Sequence, residues 1–311
     1  MQEVPDLSET SSTNSAAEGQ GWATARTLAE ALPFIQQYDR ETVVIKYGGH
    51  AMGQEETARL FAADAVLLKL LGLHPVVVHG GGPQISALMD RLGKQATFHN
   101  GLRVTDAETM EIVSMVLLGT VNPMLVSMIN TAGAKAAGVS GQDMGLFSCV
   151  QRDPALGFVG DIVNVNPAAV QGLLDDGVVP VVATLGTDDK GQSYNVNADT
   201  AASALAVALK ASKILFLTDI AGVLRDQNNA ESLLPTLTTA EANTLREEGV
   251  ITGGMIPKVE SCLHAVQGGV SAAHILDGRV AHVALLELLT DTGVGTMFVP
   301  DEVFVSDKVA Q

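Results

Sequence analysis

The chain has 311 residues, of which 47% are hydrophobic and 17% charged, enough to bury a sizeable core as one large domain or two moderate ones. Asp and Glu number 35 against 18 Lys and Arg, for a formal charge of −17; this argues against nucleic-acid binding, which needs a basic surface, but leaves room for a small anion that feels only the local field. No uninterrupted apolar run approaches the roughly 18 residues of a membrane span, and Cys149 and Cys262 share no C-x-x-C, so two reduced thiols in a cytoplasmic protein are expected.

Residues 1–21 are polar and acidic, without the basic start and apolar stretch of a signal peptide; a disordered tail is expected. Over 22–40 an N-terminal helix is predicted, with Leu28, Leu32 and Ile35 at helical spacing and Pro33 inside it, so a kink or break belongs there. Its apolar stripe needs cover from its own body or a neighbouring subunit. Then strands and helices alternate: "TVVIKY" reads as a strand, "EETARLFAADAVLLKLLG" as a helix ending at Gly72, "HPVVVH" as a second strand, and "GGGPQISALMDRLG" as a turn and helix. That order predicts a parallel sheet with helices on both faces, and the excess of small aliphatics over aromatics suits one. "DAETMEIVSMVLLGTVNPMLVSMINTAG" reads as one long helix or two, interrupted at Pro123. "GFVGDIVNVN" reads as a strand pair, "VVPVVATLG" and "KILFLTD" as buried strands, and "NADTAASALAVALKA" as a helix rich in small residues. A helix "MIPKVESCLHAVQGG", a strand "SAAHILD" and a helix "HVALLELL" complete the pattern.

Ligands in an open parallel sheet bind at the carboxyl ends of its strands, and four features lie there. Lys46-Tyr47-Gly48-Gly49 ends the first strand and His79-Gly80-Gly81-Gly82 the second. One glycine turn after a strand is ordinary; two after adjacent strands suggest backbone N–H groups turned toward an anion. Neither fits the Walker or dinucleotide fingerprint, since Ile85 stands where the latter needs its third glycine. In "YNVNADTAA" Asn195, Asn197 and Asp199 alternate, which aligns them along one side of an extended segment; an Asn or Asp helix cap is the plainer reading. In "TGGMIPKVE" Lys258 falls in a first helical turn, where it opposes the dipole. Arg103 in "HNGLRVTD" offers a planar fork for a carboxylate. His282 and Glu287 are five apart and so not on one helix face, and no H-E-x-x-H is present.

Together "VIKYGG", "VVVHGGGPQI", "NGLRVTD", "SYNVNADTAA", "LFLTDIAGVL", "GGMIPKVESC" and "LLELLTDTGVGT", spread from Thr42 to Phe298, resemble the amino acid kinase family. The K-x-GG and GGG turns occur across it; "GLRVTD" with "NVNAD" resembles the members that act on N-acetyl-L-glutamate. The resemblance implies a three-layer αβα fold with an open, mainly parallel sheet in two lobes: 41–200 for N-acetylglutamate binding and dimerisation, 201–311 for ATP and an arginine site. It implies ATP-dependent phosphorylation of the side-chain carboxylate of N-acetyl-L-glutamate to N-acetyl-L-glutamyl 5-phosphate, in arginine biosynthesis. Mg2+ would be bound with the nucleotide, with no metal ligands from protein side chains. Lys46 and Lys258 would stabilise the transferring phosphoryl group and Asp199 would hold both. Gly81, Gly82, Arg103 and Asn195 would bind the acceptor, with Arg103 on its α-carboxylate; Gly48, Gly49, Thr218 and Asp219 would serve phosphate and nucleotide.

The helix before Thr42 and "DGRVAHVALLELLTDTGVGTMF" resemble the arginine-inhibited subgroup, apart from Ala281 where many relatives have proline. That implies L-arginine as effector, at Lys213, His282, Glu287, Gly293 and Gly295, and a homo-oligomer, a hexamer built as a trimer of dimers. Some relatives bind the nitrogen regulator PII, and no residue here decides that partnership. A sister kinase for glutamate, aspartate, carbamate or a nucleoside monophosphate and a non-catalytic arginine sensor stay open; the missing fingerprint disfavours a Rossmann oxidoreductase.

Overall fold

The structure, a computed structural model, describes residues 10–49, 55–99, 101–291 and 293–301, and within these it leaves out the side chains of 10–21 and 24. In chain order the elements are α1 (Thr10–Gln37), β1 (Thr42–Tyr47), α2 (Glu55–Leu70), β2 (His74–His79), α3 (Gly82–Arg91), β3 (Phe98–His99), β4 (Leu102–Arg103), α4 (Ala107–Val116), a π-helical turn (Leu117–Val121), α5 (Asn122–Ala132), β5 (Ala136–Ser140), β6 (Phe147–Gln151), β7 (Val159–Val165) and α6 (Ala168–Asp175). There follow β8 (Val179–Ala183), β9 (Leu185–Thr187), β10 (Ser193–Val196), α7 (Ala198–Ala208), β11 (Lys213–Thr218), β12 (Thr236–Thr238), α8 (Thr239–Glu247), α9 (Met255–Gln267), β13 (Ala272–Asp277), α10 (Val283–Leu289) and β14 (Thr296–Val299).

Eight strands form one sheet in the order β12-β14-β13-β11-β1-β2-β8-β5, parallel throughout except for β13 against β14. The apolar runs become its middle because both faces are covered. Val44 points into one core with α7 and α9, while Val43 and Ile45 point into the other with α2, α4 and α5. A smaller closed sheet, β10-β7-β6-β9, is attached to one flank, and β3 and β4 form a two-stranded ribbon.

Several expectations need correction. The tail assigned to 1–21 is helical from Thr10 onward; residues 1–9 lie outside the described set. Gly19 and Gly21 weaken a helix without ending it, no proline lies between Thr10 and Pro33, and α1 runs through Pro33 to Gln37. The strand pair expected over 157–166 is the single strand β7, which pairs with the unforeseen β6 on one side and with β10 on the other. The strand expected over 178–186 is split at the buried Thr184 into β8 and β9, which join different sheets. The lobe boundary at 200 falls inside α7, and the sheet passes without a break from β11 to β1.

The interruption foreseen at Pro123 is a π turn just before it. The run 107–132 is long and apolar enough to cross a membrane by length and composition, with a mean hydropathy of 2.0 and 44% of that window buried in the fold. It holds no uninterrupted apolar run of that length, because Ser114, Thr120 and Asn122 punctuate it. Met110, Val113, Leu117, Val121, Leu125 and Ile129 pack it on the sheet, and one such helix is also what the core of a non-membrane fold provides.

Candidate active site

Register brings the predicted turns together. Tyr47 pairs with His79 on one side and Leu217 on the other, so the turns after β1 and β2 and the Thr218–Asp219 pair are neighbours at the carboxyl edge of three consecutive parallel strands. This is where open α/β sheets bind ligands.

Lys46, near the end of β1, is 8% exposed, and its Nζ lies 2.9 Å from Oδ1 of Asp199. Lys258 reaches the same carboxylate from the other side, with Nζ 3.0 Å from Oδ2. Asp199 sits in the first turn of α7, where the helix dipole favours an anion. Burial alone would push its carboxyl up; Lys46 and Lys258 outweigh burial and bring it down to about 2. Asn197 caps α7, its Oδ1 accepting from Asp199 N at 2.9 Å and Thr200 N at 3.1 Å. The cap reading therefore holds for Asn197, and the one-sided alternation stops there. Lys258 is in the first turn of α9, as foreseen. Ser203 Oγ ties the two helices by donating to Ser261 O at 2.9 Å. Gly48 lies against the Lys46 ammonium, and Gly49 has the left-handed φ of 72° that glycine accepts freely.

Across the cleft, Arg103 is 7% exposed and packs directly on the second turn. Its Nη2 donates to Gly82 O at 3.0 Å and Ser86 Oγ at 2.9 Å, and the guanidinium stands 4.8 Å from the Phe98 ring centroid. Burial lowers its pKa, from so high a starting value that it stays a cation. Thr105, which nothing in the sequence singled out, links it to Asn195: the hydroxyl donates to Arg103 O at 2.9 Å and accepts from Asn195 Nδ2 at 3.3 Å. Gly81 and Gly82 open α3, whose first N–H groups have no intrahelical acceptor.

A cavity of about 580 Å³ opens beside Lys258 and the end of β11, lined by Asp219, Gly222, Leu224, Ile251, Lys258 and Arg279 among others. That volume is typical of a small-molecule site. Thr218 is buried beside it and donates to Asp219 Oδ1 at 3.2 Å. Arg279, an addition to the expected set, is forked on Asp277 at 2.8 and 2.7 Å. A larger cavity of about 760 Å³ meets the first at Gly254; neither Lys46 nor Lys258 lines it, whereas Lys258 lines the smaller one. Among the described residues no three His, Cys, Asp or Glu cluster as a metal site.

The five residues expected around arginine are not all brought together. Glu287 Oε1 lies 2.8 Å from His274 Nδ1, and Glu287 Oε2 accepts from Val294 N at 3.3 Å, which brings the Gly293–Gly295 loop to it. Lys213 is near enough to act electrostatically on both His274 and Glu287, and its ammonium lies 5.2 Å from the Tyr38 ring centroid. His274 is fully buried, and its Nε2 has no hydrogen-bond partner among the described residues. His282 is elsewhere: it takes the left-handed N-cap position of α10 and pairs with Asp64 of α2 at 2.6 Å. Proximity along the chain favoured His282, whereas the sheet delivers His274, thirteen residues before Glu287.

Residues 41–277 match the sequence profile of the amino acid kinase family. The acetylglutamate kinase of Caulobacter sp. (strain K31) is 54% identical over 300 residues, covering 90% of this chain and 98% of that protein. Among solved structures, N-acetylglutamate synthase from Neisseria gonorrhoeae complexed with coenzyme A and N-acetyl-glutamate superposes with a TM-score of 0.79 at 27% identity, covering 89% of this chain. The same enzyme complexed with coenzyme A and L-arginine gives a TM-score of 0.75, at 27% identity over 89% of this chain. The chain spans 63% and 65% of those two chains.

Proposed function

The chain belongs to the amino acid kinase family, and from that premise we propose that it transfers the γ-phosphoryl group of ATP to the side-chain carboxylate of N-acetyl-L-glutamate, a step of arginine biosynthesis. The observation that carries this reading is the convergence of Lys46 and Lys258, from β1 and α9, on the buried Asp199. A carboxylate acceptor with a pKa of roughly 4.3 is already ionised at neutral pH, so the reaction needs no base. It needs an anion brought in line to a polyanion, and positioning with charge stabilisation supplies that. Two ammonium groups held apart by one carboxylate flank the space where charge develops. The cavity beside Lys258 takes the nucleotide, and magnesium arrives on its phosphates, where the ion usually keeps several waters. Arg103, Asn195 and the Gly81–Gly82 turn take the acceptor.

The test is acyl-phosphate formation from ATP, magnesium and N-acetyl-L-glutamate, trapped with hydroxylamine, with and without L-arginine. Hydroxamate formed only with the acetylated acceptor supports the reading; reaction with unacetylated glutamate or carbamate instead moves the protein to a sister kinase. Arg103→Lys keeps the charge and loses the fork. It raises KM for N-acetyl-L-glutamate by at least about tenfold and leaves KM for ATP within about twofold, as initial rates against each substrate will show.

Two finer readings go with this function. L-Arginine acts as the end-product inhibitor at the Lys213, His274 and Glu287 cluster, where a carboxylate suits its guanidinium and an ammonium its α-carboxylate; hydroxamate yield unchanged by arginine rejects this. The chain also assembles as a hexamer, a trimer of dimers, with α1 joining the dimers. Leu28 and Leu32, four apart on one face of α1, are 63% and 50% exposed on this chain, and Trp22 nearer the N-terminus is 78% exposed, apolar surface that a second copy would cover. Deleting residues 1–32, which spares the packed Phe34 and Tyr38, leaves a dimer by light scattering; a hexameric mass overturns this.

A further inference from the structure

Behind the second glycine turn lies a polar group that the chemistry above leaves unused. His79, the last residue of β2, is completely buried between Tyr47 of β1 and Ala183 of β8. Its Nδ1 is 2.9 Å from Gly80 O, and its Nε2 is 3.0 Å from Asn122 Nδ2, which also donates to Val181 O at 2.8 Å. Only one assignment of protons suits this arrangement. The carbonyls of Gly80 and Val181 only accept, so Nδ1 carries the ring proton and Nε2 accepts from Asn122, whose second N–H goes to Val181. A flipped amide would set oxygen against oxygen at Val181. A second ring proton would face the amide hydrogens of Asn122, and burial presses the same way, pushing the imidazole down to about 4.

The pair is built in from three sides. Asn122 directly follows the π turn Leu117–Val121, a helical irregularity that often marks a functional position. Gly138 of β5 leaves room for the Asn122 carboxamide, because a Cβ there would overlap Asn122 Oδ1. The same π turn also touches the glycine turn directly: a Cβ on Gly81 would come 2.7 Å from Leu117 Cδ2. The Gly80 carbonyl is thus held toward the interior, while the first N–H groups of α3, which lack intrahelical acceptors, are left for an anion.

We infer that His79 and Asn122 form a positioning pair for the phosphoryl acceptor, which fixes the Gly80–Gly82 turn in the orientation that offers its N–H groups to the reacting carboxylate. This rests on the reading of the cleft as a site for N-acetyl-L-glutamate. Neither residue touches substrate; both act through the Gly80 carbonyl.

The experiment compares the full-length protein with His79→Leu, Asn122→Leu, the double variant and His79→Gln. Each leucine variant lowers kcat/KM for N-acetyl-L-glutamate by at least about tenfold, since small misplacements in a reacting site are costly. The double variant is no worse than the worse single one. His79→Gln, which can offer an N–H to Gly80 and a carbonyl to Asn122, recovers most of the loss. Calorimetric ADP affinity stays within about twofold throughout. Wild-type kcat/KM in both leucine variants, fully additive losses, or an equal loss of ADP affinity overturns the proposal. A wild type that does not phosphorylate N-acetyl-L-glutamate overturns the functional reading and the pair's role with it. Should the leucine variants not fold, imidazole 15N shifts of the wild type, assigned by comparison with His79→Gln, decide instead: a neutral ring protonated on Nδ1 is expected, and one protonated on Nε2 refutes it.

Discussion

Lys46→Ala lowers kcat by at least about a hundredfold, with little change in the KM of either substrate, because it removes charge stabilisation needed chiefly in the transition state. The site explains the size. Lys46 is nearly buried and stands 2.9 Å from Asp199, and charge stabilisation by a preorganised group in a water-poor site is worth far more than the same contact in water. Truncation removes one of the two ammonium partners of Asp199 and leaves Lys258 on that carboxylate, so the fold loses part of the bridge rather than all of it. The Lys46 backbone is hydrogen-bonded between β11 and β2, and that ladder survives truncation of the side chain. Circular dichroism and ADP binding therefore stay close to wild type while turnover collapses. A variant with near-normal kcat removes Lys46 from the chemistry.

Asp199→Asn has a comparable effect on turnover, again at least about a hundredfold, but it costs more stability than Lys46→Ala, which leaves Lys258 on the carboxylate. The substitution leaves two lysine ammonium groups facing a neutral amide, and breaking a buried pair by neutralising one partner typically costs about 3–5 kcal/mol. The pH dependence separates this from a general packing defect. Lys46 and Lys258 hold the folded carboxyl down at about 2, below its ordinary value of 3.8, so the anion is the favoured form in the native state. Its contribution is fully present above the unfolded value and is lost as pH falls through the folded one. The Tm difference between wild type and Asp199→Asn is therefore flat above about pH 5 and narrows as pH falls from about 4 toward 2. A gap that is constant across that window refutes the anionic bridge.

The residues that converge on the cleft were legible because each marks a strand end or helix start by its own chemistry. Lys46 and Gly48 follow an apolar β-branched run, and Lys258 is out of place in a first turn, so the pattern carries them without any knowledge of neighbours. What was illegible depends on partners distant in the chain. Thr105 matters only because β10 brings Asn195 to it from ninety residues away. His274 looks like any residue of a buried strand until α10 folds Glu287 back over it. β6 and β9 are short and mixed in polarity, stabilised by closure into a small barrel rather than by their own composition. The helix at Thr10–Gly21 failed for the opposite reason: polar composition argues for disorder when a segment stands alone, and here it is the continuation of a helix.

The two halves that would clasp the substrates are joined edge to edge. β1 and β11, one from each half, pair in parallel over five residues at the centre of the sheet, so neither half owns a finished border. If the gene were severed in the short turn between α7 and β11, each fragment would carry a long raw strand edge, a template for aggregation when alone. Expressed together, the fragments would have one partner that satisfies both edges, and activity should return by complementation. The same arrangement would constrain any opening of the cleft: with β1 and β11 paired in one continuous sheet, such a motion would have to be taken up as torsion of that sheet, and a stiffer β1–β11 pairing would slow it from the far side of the chemistry.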